Sequence, residues 1–132
     1  MSLLQRVQNS LARVVCAAPY RCSASLLQSL HWLPVTYRIN YKIATLTVKA
    51  QLHQQPTYLY DMLLPYKPTR QLRSSSAGLL TEKPTTTRTS ERAFSVAAVT
   101  IWNQLPVYVR SVTSTHLFTS RLKTHLFSLS FN

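Results

Sequence analysis

Apolar positions recur with helical period through most of the chain and lose it in one long stretch. At roughly 100° per residue, Leu4, Val7, Leu11, Val14, Val15 and Ala18 share one arc of a helix spanning residues 3–18. Arg6 and Arg13 fall on the other side, and Pro19 closes the helix. A short second helix is predicted over residues 23–31, ending before Leu33-Pro34. A third follows over about 35–54, with Pro34 suited to its start. In this third helix Ile39, Ile43, Leu46 and Ala50 form one stripe, and Tyr37, Tyr41, Val48 and Leu52 form another on nearly the opposite side. Such a helix asks for apolar neighbours on both sides, as in the middle of a bundle. Residues 56–64 read as a fourth helix between Pro56 and Pro65, and residues 93–105 as a fifth ending at Pro106. A last helix, capped by Ser114 or Thr115, runs to about 129 with Phe118, Leu122, Leu126 and Leu129 on one face.

Between residues 65 and 92 the periodicity disappears. The stretch is rich in Ser, Thr and Pro and holds the chain's only glycine, Gly78. It reads as a long basic surface loop, with at most a short strand-like piece over residues 77–81. The expected fold is therefore mainly α: five or six helices in a small irregular bundle with that loop. An N-terminal helical part (1–64), the loop (65–92) and C-terminal helices (93–132) make one domain overall. The expected core combines Leu11, Val14, Ile39, Ile43, Leu46, Trp102, Phe118, Leu122 and Leu126.

Charge changes this picture more than composition does. Fifteen Lys and Arg stand against Asp61, Glu82 and Glu91, for a net charge of +12. Such a chain attracts polyanions: nucleic acid first, then an anionic membrane surface or an acidic protein. No apolar run is long enough to span a bilayer. Cys16 and Cys22, six apart, make neither a disulfide framework nor a zinc site and read as reduced.

The three carboxylates also bound the chemistry. A nucleotidyl-transfer site needs several of them gathered on metal ions. The one Tyr-Asp pair, Tyr60-Asp61, is followed by Met62, so Asp61 reads as a helix surface residue. One glycine cannot build a phosphate-cradling loop. His31, His53, His116 and His125 are scattered. No cofactor is implied, and no catalysis by this chain is expected.

Binding is a different matter. In the loop, Lys67, Arg70, Arg73, Lys83, Arg88 and Arg92 can contact phosphates, with Ser and Thr hydroxyls as weaker donors. Tyr58, Tyr60 and Tyr66 are close in sequence and can stack on bases. The plain alternative is a linker that happens to be basic. A second candidate footprint is the ridge of Arg38, Lys42 and Lys49, which lie within roughly 40° of one another on the third helix. Trp32 and Trp102, each beside Leu and Pro, read as core anchors whose indole N–H can reach a backbone carbonyl.

Five stretches in order carry a resemblance: LQRVQNSLARVV (4–15), SLHWLPVTYRINYKI (29–43), LPYKPTRQLRSSSAGLL (64–80), RAFSVAAVTIWNQLPVYVRS (92–111) and FTSRLKTHLF (118–127). Together they resemble the segment that follows the catalytic palm in reverse transcriptases of LINE-type, non-LTR retrotransposons. The resemblance covers nearly the whole chain. It implies the thumb and C-terminal extension of an RNA-directed DNA polymerase, a part expected to help hold RNA template or primer. The family's catalytic aspartates would lie upstream of everything present, so none is carried over. The chain departs from the pattern in a shorter stretch over 16–25, in Val99 where a Pro commonly precedes the Trp-Asn pair, and in having few acidic residues. Met1 falls just before the first matching helix, as in a truncated and decayed element copy.

The resulting expectation is a non-catalytic fragment with residual affinity for RNA or an RNA/DNA hybrid, cytoplasmic or nuclear if expressed. A second reading is a small basic protein imported into mitochondria, because the first 25 residues are amphipathic, Arg- and Ser-containing and free of acidic residues. A third is an unfolded translation product. The resemblance favours the first, since the N-terminal arginines then belong to the family helix.

Overall fold

The computed structural model describes residues 3–18, 22–68 and 78–131. Within them the chain is mainly helical: α1 (Leu3–Val15), α2 (Ser23–Ser29), α3 (Val35–His53), α4 (Thr57–Met62), α5 (Arg88–Glu91), α6 (Phe94–Gln104), α7 (Val107–Arg110) and α8 (Thr115–Phe131). Six of these match helices that periodicity predicts. The four-residue helices α5 and α7 do not, because one turn is too short to show a period. The chain forms two compact units, residues 1–41 with 123–132, and residues 42–122. The unit limits fall inside α3 and α8, whereas composition changes near residues 65 and 93.

In the first unit α1 packs on α2 around Ala12, Leu26 and Leu27, with Cys16, Leu30, Trp32 and Phe131 against them. The face that α1 buries is not its apolar arc. Gln8, Asn9 and Ala12 are buried, whereas Leu4, Val7, Leu11, Val14 and Val15 are exposed. The expectation that Leu11 and Val14 lie in the core is thus overturned. Hydrogen bonds explain the choice. Gln8 Nε2 donates to the Leu33 carbonyl oxygen at 2.8 Å. The Val35 N–H, first of α3 and without an intrahelical acceptor, donates to Gln5 Oε1 at 2.9 Å. Gln5 in turn donates to Asn9 Oδ1 and Gln8 Oε1. Buried backbone polar groups cost more unpaired than exposed aliphatics do, so the glutamine face goes inward.

Both α1 and α2 end in left-handed turns on non-glycine residues. His31 (φ 53°) follows α2, with Trp32 N–H donating to Leu27 O and His31 N–H to Gln28 O. Ala17 (φ 47°) follows α1, with Ala18 N–H donating to Arg13 O and Ala17 N–H to Val14 O. These are Schellman endings, where glycine is the favoured occupant. Replacing Ala17→Gly is expected to raise unfolding free energy by roughly 0.5–1 kcal/mol. A urea midpoint at or below that of the wild type would contradict this.

Helix α3 also turns differently from its stripes. Ala44, Thr47, Val48 and Ala50 are buried, Ile43 is half-buried, and Ile39 and Leu46 are exposed, contrary to expectation. The buried line bisects the two apolar stripes and lies roughly 180° from Arg38, Lys42 and Lys49. Solvation of the three cations sets the helix's rotation, and the small residues opposite permit close packing. Thr47 Oγ1 donates to the Ile43 carbonyl, which satisfies its buried hydroxyl.

The second unit holds the larger core: Leu63, Leu80, Val99, Leu105, Val109 and Val112 beside Trp102, Phe118 and Leu122. Trp102 and Phe118 stack with ring centroids 5.6 Å apart. On α8, Phe118, Leu122 and Leu126 are buried as expected, but Leu129 is exposed. Leu129 contributes its backbone instead, its carbonyl oxygen accepting from the Tyr37 hydroxyl at 3.2 Å.

Candidate nucleic-acid interface

The described parts of the basic stretch, residues 65–68 and 78–92, are more organised than a linker. Pro65 and Leu80 form an antiparallel bridge, with Tyr66 N–H donating to Leu79 O at 2.9 Å and Thr81 N–H to Leu64 O at 2.8 Å. Of the strand-like piece expected over 77–81, residue 77 lies outside the described residues and the rest holds one bridge residue, Leu80. Helix α6 holds this base in place. Trp102 Nε1 donates to the Gly78 carbonyl oxygen at 2.8 Å, the type of partner expected for a buried indole. Asn103 makes a two-way clamp on Leu80, accepting its N–H at 3.0 Å and donating to its carbonyl at 2.9 Å. The same Asn103 amide donates to Glu82 Oε1 at 3.2 Å. Gly78, at φ +60°, takes the turn conformation that an L side chain resists. After Glu82 the chain runs to α5, which Thr87 and Ser90 cap reciprocally.

Onto this frame the candidate cations map unevenly. Lys67, Lys83 and Arg92 are exposed, Arg92 closing α5. Arg70 and Arg73 lie outside the described residues, as does the side chain of Arg88, whose backbone opens α5. On α3, Arg38, Lys42 and Lys49 are all exposed in the register the sequence predicts. No ion pair engages these six exposed cations among the described residues, which leaves their charge available. Tyr58, Tyr60 and Tyr66 also expose their rings. Trp102 is buried and Trp32 half-buried against the α1–α2 cluster, so both serve packing.

The carboxylates play small parts. Asp61 is exposed on α4, Glu91 is exposed on α5, and Glu82 accepts from Asn103. Among the described residues no three His, Cys, Asp or Glu side chains gather so as to hold a metal ion. No described helix is long and apolar enough to cross a membrane.

Two residues escape a reading of the sequence. Asn103 sits beside Trp102 in a pair that looks like ordinary helix ending, and its partner is 23 residues away. Arg110 is the other. Its Nε and Nη1 atoms are shielded from water with no hydrogen-bond partner, and burial lowers its pKa below the usual arginine value. A desolvated donor without a partner destabilises the fold. The Arg110→Met chain, which keeps the aliphatic stem, is expected to unfold at higher urea than the wild type. A lower midpoint would mean that Arg110 has a stabilising role.

Comparison with protein-family models, with curated proteins and with solved structures gives no match to this chain.

Proposed function

We propose that the chain is a non-catalytic nucleic-acid-binding segment of the kind that follows the palm in LINE-type reverse transcriptases, holding RNA or an RNA/DNA hybrid by its backbone. The observation that carries this is the clamped base of the basic segment. Trp102 and Asn103 fix Gly78 and Leu80, so Lys67 and Lys83, close to the Pro65–Leu80 bridge in sequence, spring from a hydrogen-bonded frame. A rigid frame reduces the ordering cost of each phosphate contact. Exposed, unpaired Lys67, Lys83 and Arg92 supply charge, and exposed Tyr58, Tyr60 and Tyr66 supply stacking surfaces that tolerate any base. With one glycine and three carboxylates, the chain has little to offer phosphoryl transfer beyond positioning.

The test is equilibrium binding of a short single-stranded RNA, and of the matching RNA/DNA hybrid, to the purified full chain. A variant with Arg70, Arg73, Arg88 and Arg92 replaced by Ala serves as comparison. Weaker binding by the variant, with its circular dichroism unchanged, supports the reading. Equal binding by both proteins, or none by either at near-physiological salt, overturns it.

A further inference from the structure

We infer that the first unit carries a membrane-surface site: α1 lies in the interface of an anionic lipid leaflet, with cations beside it on the headgroup phosphates. The inference goes beyond nucleic-acid binding and involves none of the cations of the 65–92 segment.

The geometry begins with α1. Its six aliphatic side chains, Leu3, Leu4, Val7, Leu11, Val14 and Val15, are between 51% and 76% exposed. At roughly 100° per residue they occupy one arc about 120° wide along the whole helix. This outward aim is fixed, because Gln5 and Gln8 hold the opposite face on the backbone at Val35 and Leu33. A continuous apolar ridge of this kind on a single short helix marks an interaction surface.

Charge complementarity selects the occupant. Every acidic residue of the chain, at 61, 82 and 91, belongs to the second unit, so the first unit has no acidic side chain of its own. Arg6 and Arg13 lie together on the polar side of α1, where long side chains can extend to phosphates while the aliphatic face enters the acyl boundary. Part of the ridge also lines a groove of about 590 Å³, where Val7 and Leu11 meet Trp32 and Val35, and Arg38 and Lys123 are among its lining residues. An acyl segment fits the apolar lining, and the two cations suit its headgroup. A second copy of the chain would carry the same net charge of +12, which disfavours self-association. The exposed apolar arc runs the whole length of α1, beyond the part that lines the groove, which suits a lipid surface better than one acidic helix set in the groove.

The experiment is co-sedimentation of the full chain with vesicles of phosphatidylcholine alone and of phosphatidylcholine with about one-third phosphatidylglycerol. A variant with Leu4→Gln, Val7→Gln and Leu11→Gln changes only exposed positions. The wild type is expected to sediment with the anionic vesicles and far less with the neutral ones. The variant is expected to lose about tenfold or more in affinity. The Ala variant of the 65–92 segment should lose RNA affinity yet keep its requirement for the α1 ridge, which separates this site from the nucleic-acid reading. Brominated lipid should quench Trp32 in a Trp102→Phe chain, where it is the one tryptophan left. Equal sedimentation of the Gln variant and the wild type would show charge attraction alone and overturn the inference. So would the absence of quenching, or binding of an acidic amphipathic peptide to this face with none of the anionic vesicles.

Discussion

RNA affinity of the full chain is expected to fall by about two to three orders of magnitude between about 50 and about 200 mM salt. The magnitude follows from counterion release. Each phosphate neutralised on a single strand contributes about −0.7 to the slope of log affinity against log salt, so six contacts from the 65–92 segment give a slope near −4. Replacing Arg70, Arg73, Arg88 and Arg92 by Ala should reduce that slope by about 3 and remove most of the affinity at low salt. The ridge of Arg38, Lys42 and Lys49 provides an internal comparison. If it shares the strand, its own triple Ala variant lowers the slope by about 2. If the ridge is only a solvated face, its variant binds as the wild type does. A slope near zero for the wild type would mean that the exposed cations take no phosphates, and the reading of the segment as an interface would fail. Replacing Tyr58, Tyr60 and Tyr66 by Leu should weaken binding without altering the slope, because stacking releases no counterions.

Trp102→Ala is expected to cost about 3–5 kcal/mol of stability, a large part of what a domain of this size possesses. Trp102 is only 4% exposed, stacks on Phe118, and donates to Gly78. Its loss removes a large apolar surface and leaves a cavity in the core of the second unit. The Phe118 ring would lose its stacking partner at the same time. Trp102→Phe separates the two roles. It keeps most of the packing and removes the indole donor, so the expected cost is about 1 kcal/mol, the more so because Gly78 is exposed and its carbonyl can turn to water. Urea denaturation monitored by circular dichroism measures both. A change below about 1 kcal/mol for Trp102→Ala would show that the core does not depend on this side chain. Asn103→Ala should act differently. It removes the partner of both Leu80 backbone groups without deleting a core side chain, so it should lower stability less than Trp102→Ala does while weakening RNA binding.

The candidate interface was legible in part. Lys67, Lys83, Arg92 and the α3 cations are exposed where composition and helical register place them, because taking an unpartnered charge out of water is costly in most surroundings. The frame that holds the segment was hidden. Nothing local distinguishes Asn103 from any other polar residue at a helix end, and its bonds to Leu80 span 23 residues.

What the sequence determined by itself was the mainly helical fold, the limits of the six longer helices, and the burial of Trp102, Phe118, Leu122 and Leu126. Periodicity and proline placement are local, so a chain read in order reveals them. The tertiary structure alone decided which way two helices face. Periodicity states which side chains share an arc, but not whether that arc meets protein or solvent. In α1 the answer came from Gln5 and Gln8, which satisfy backbone groups 30 and 25 residues away and turn Leu11 and Val14 outward. In α3 it came from three cations that need water and pull Ile39 and Leu46 toward the surface. In both cases hydration or pairing of polar groups outweighed the burial of a few aliphatic side chains, since an unpaired buried polar group costs as much as such a side chain contributes.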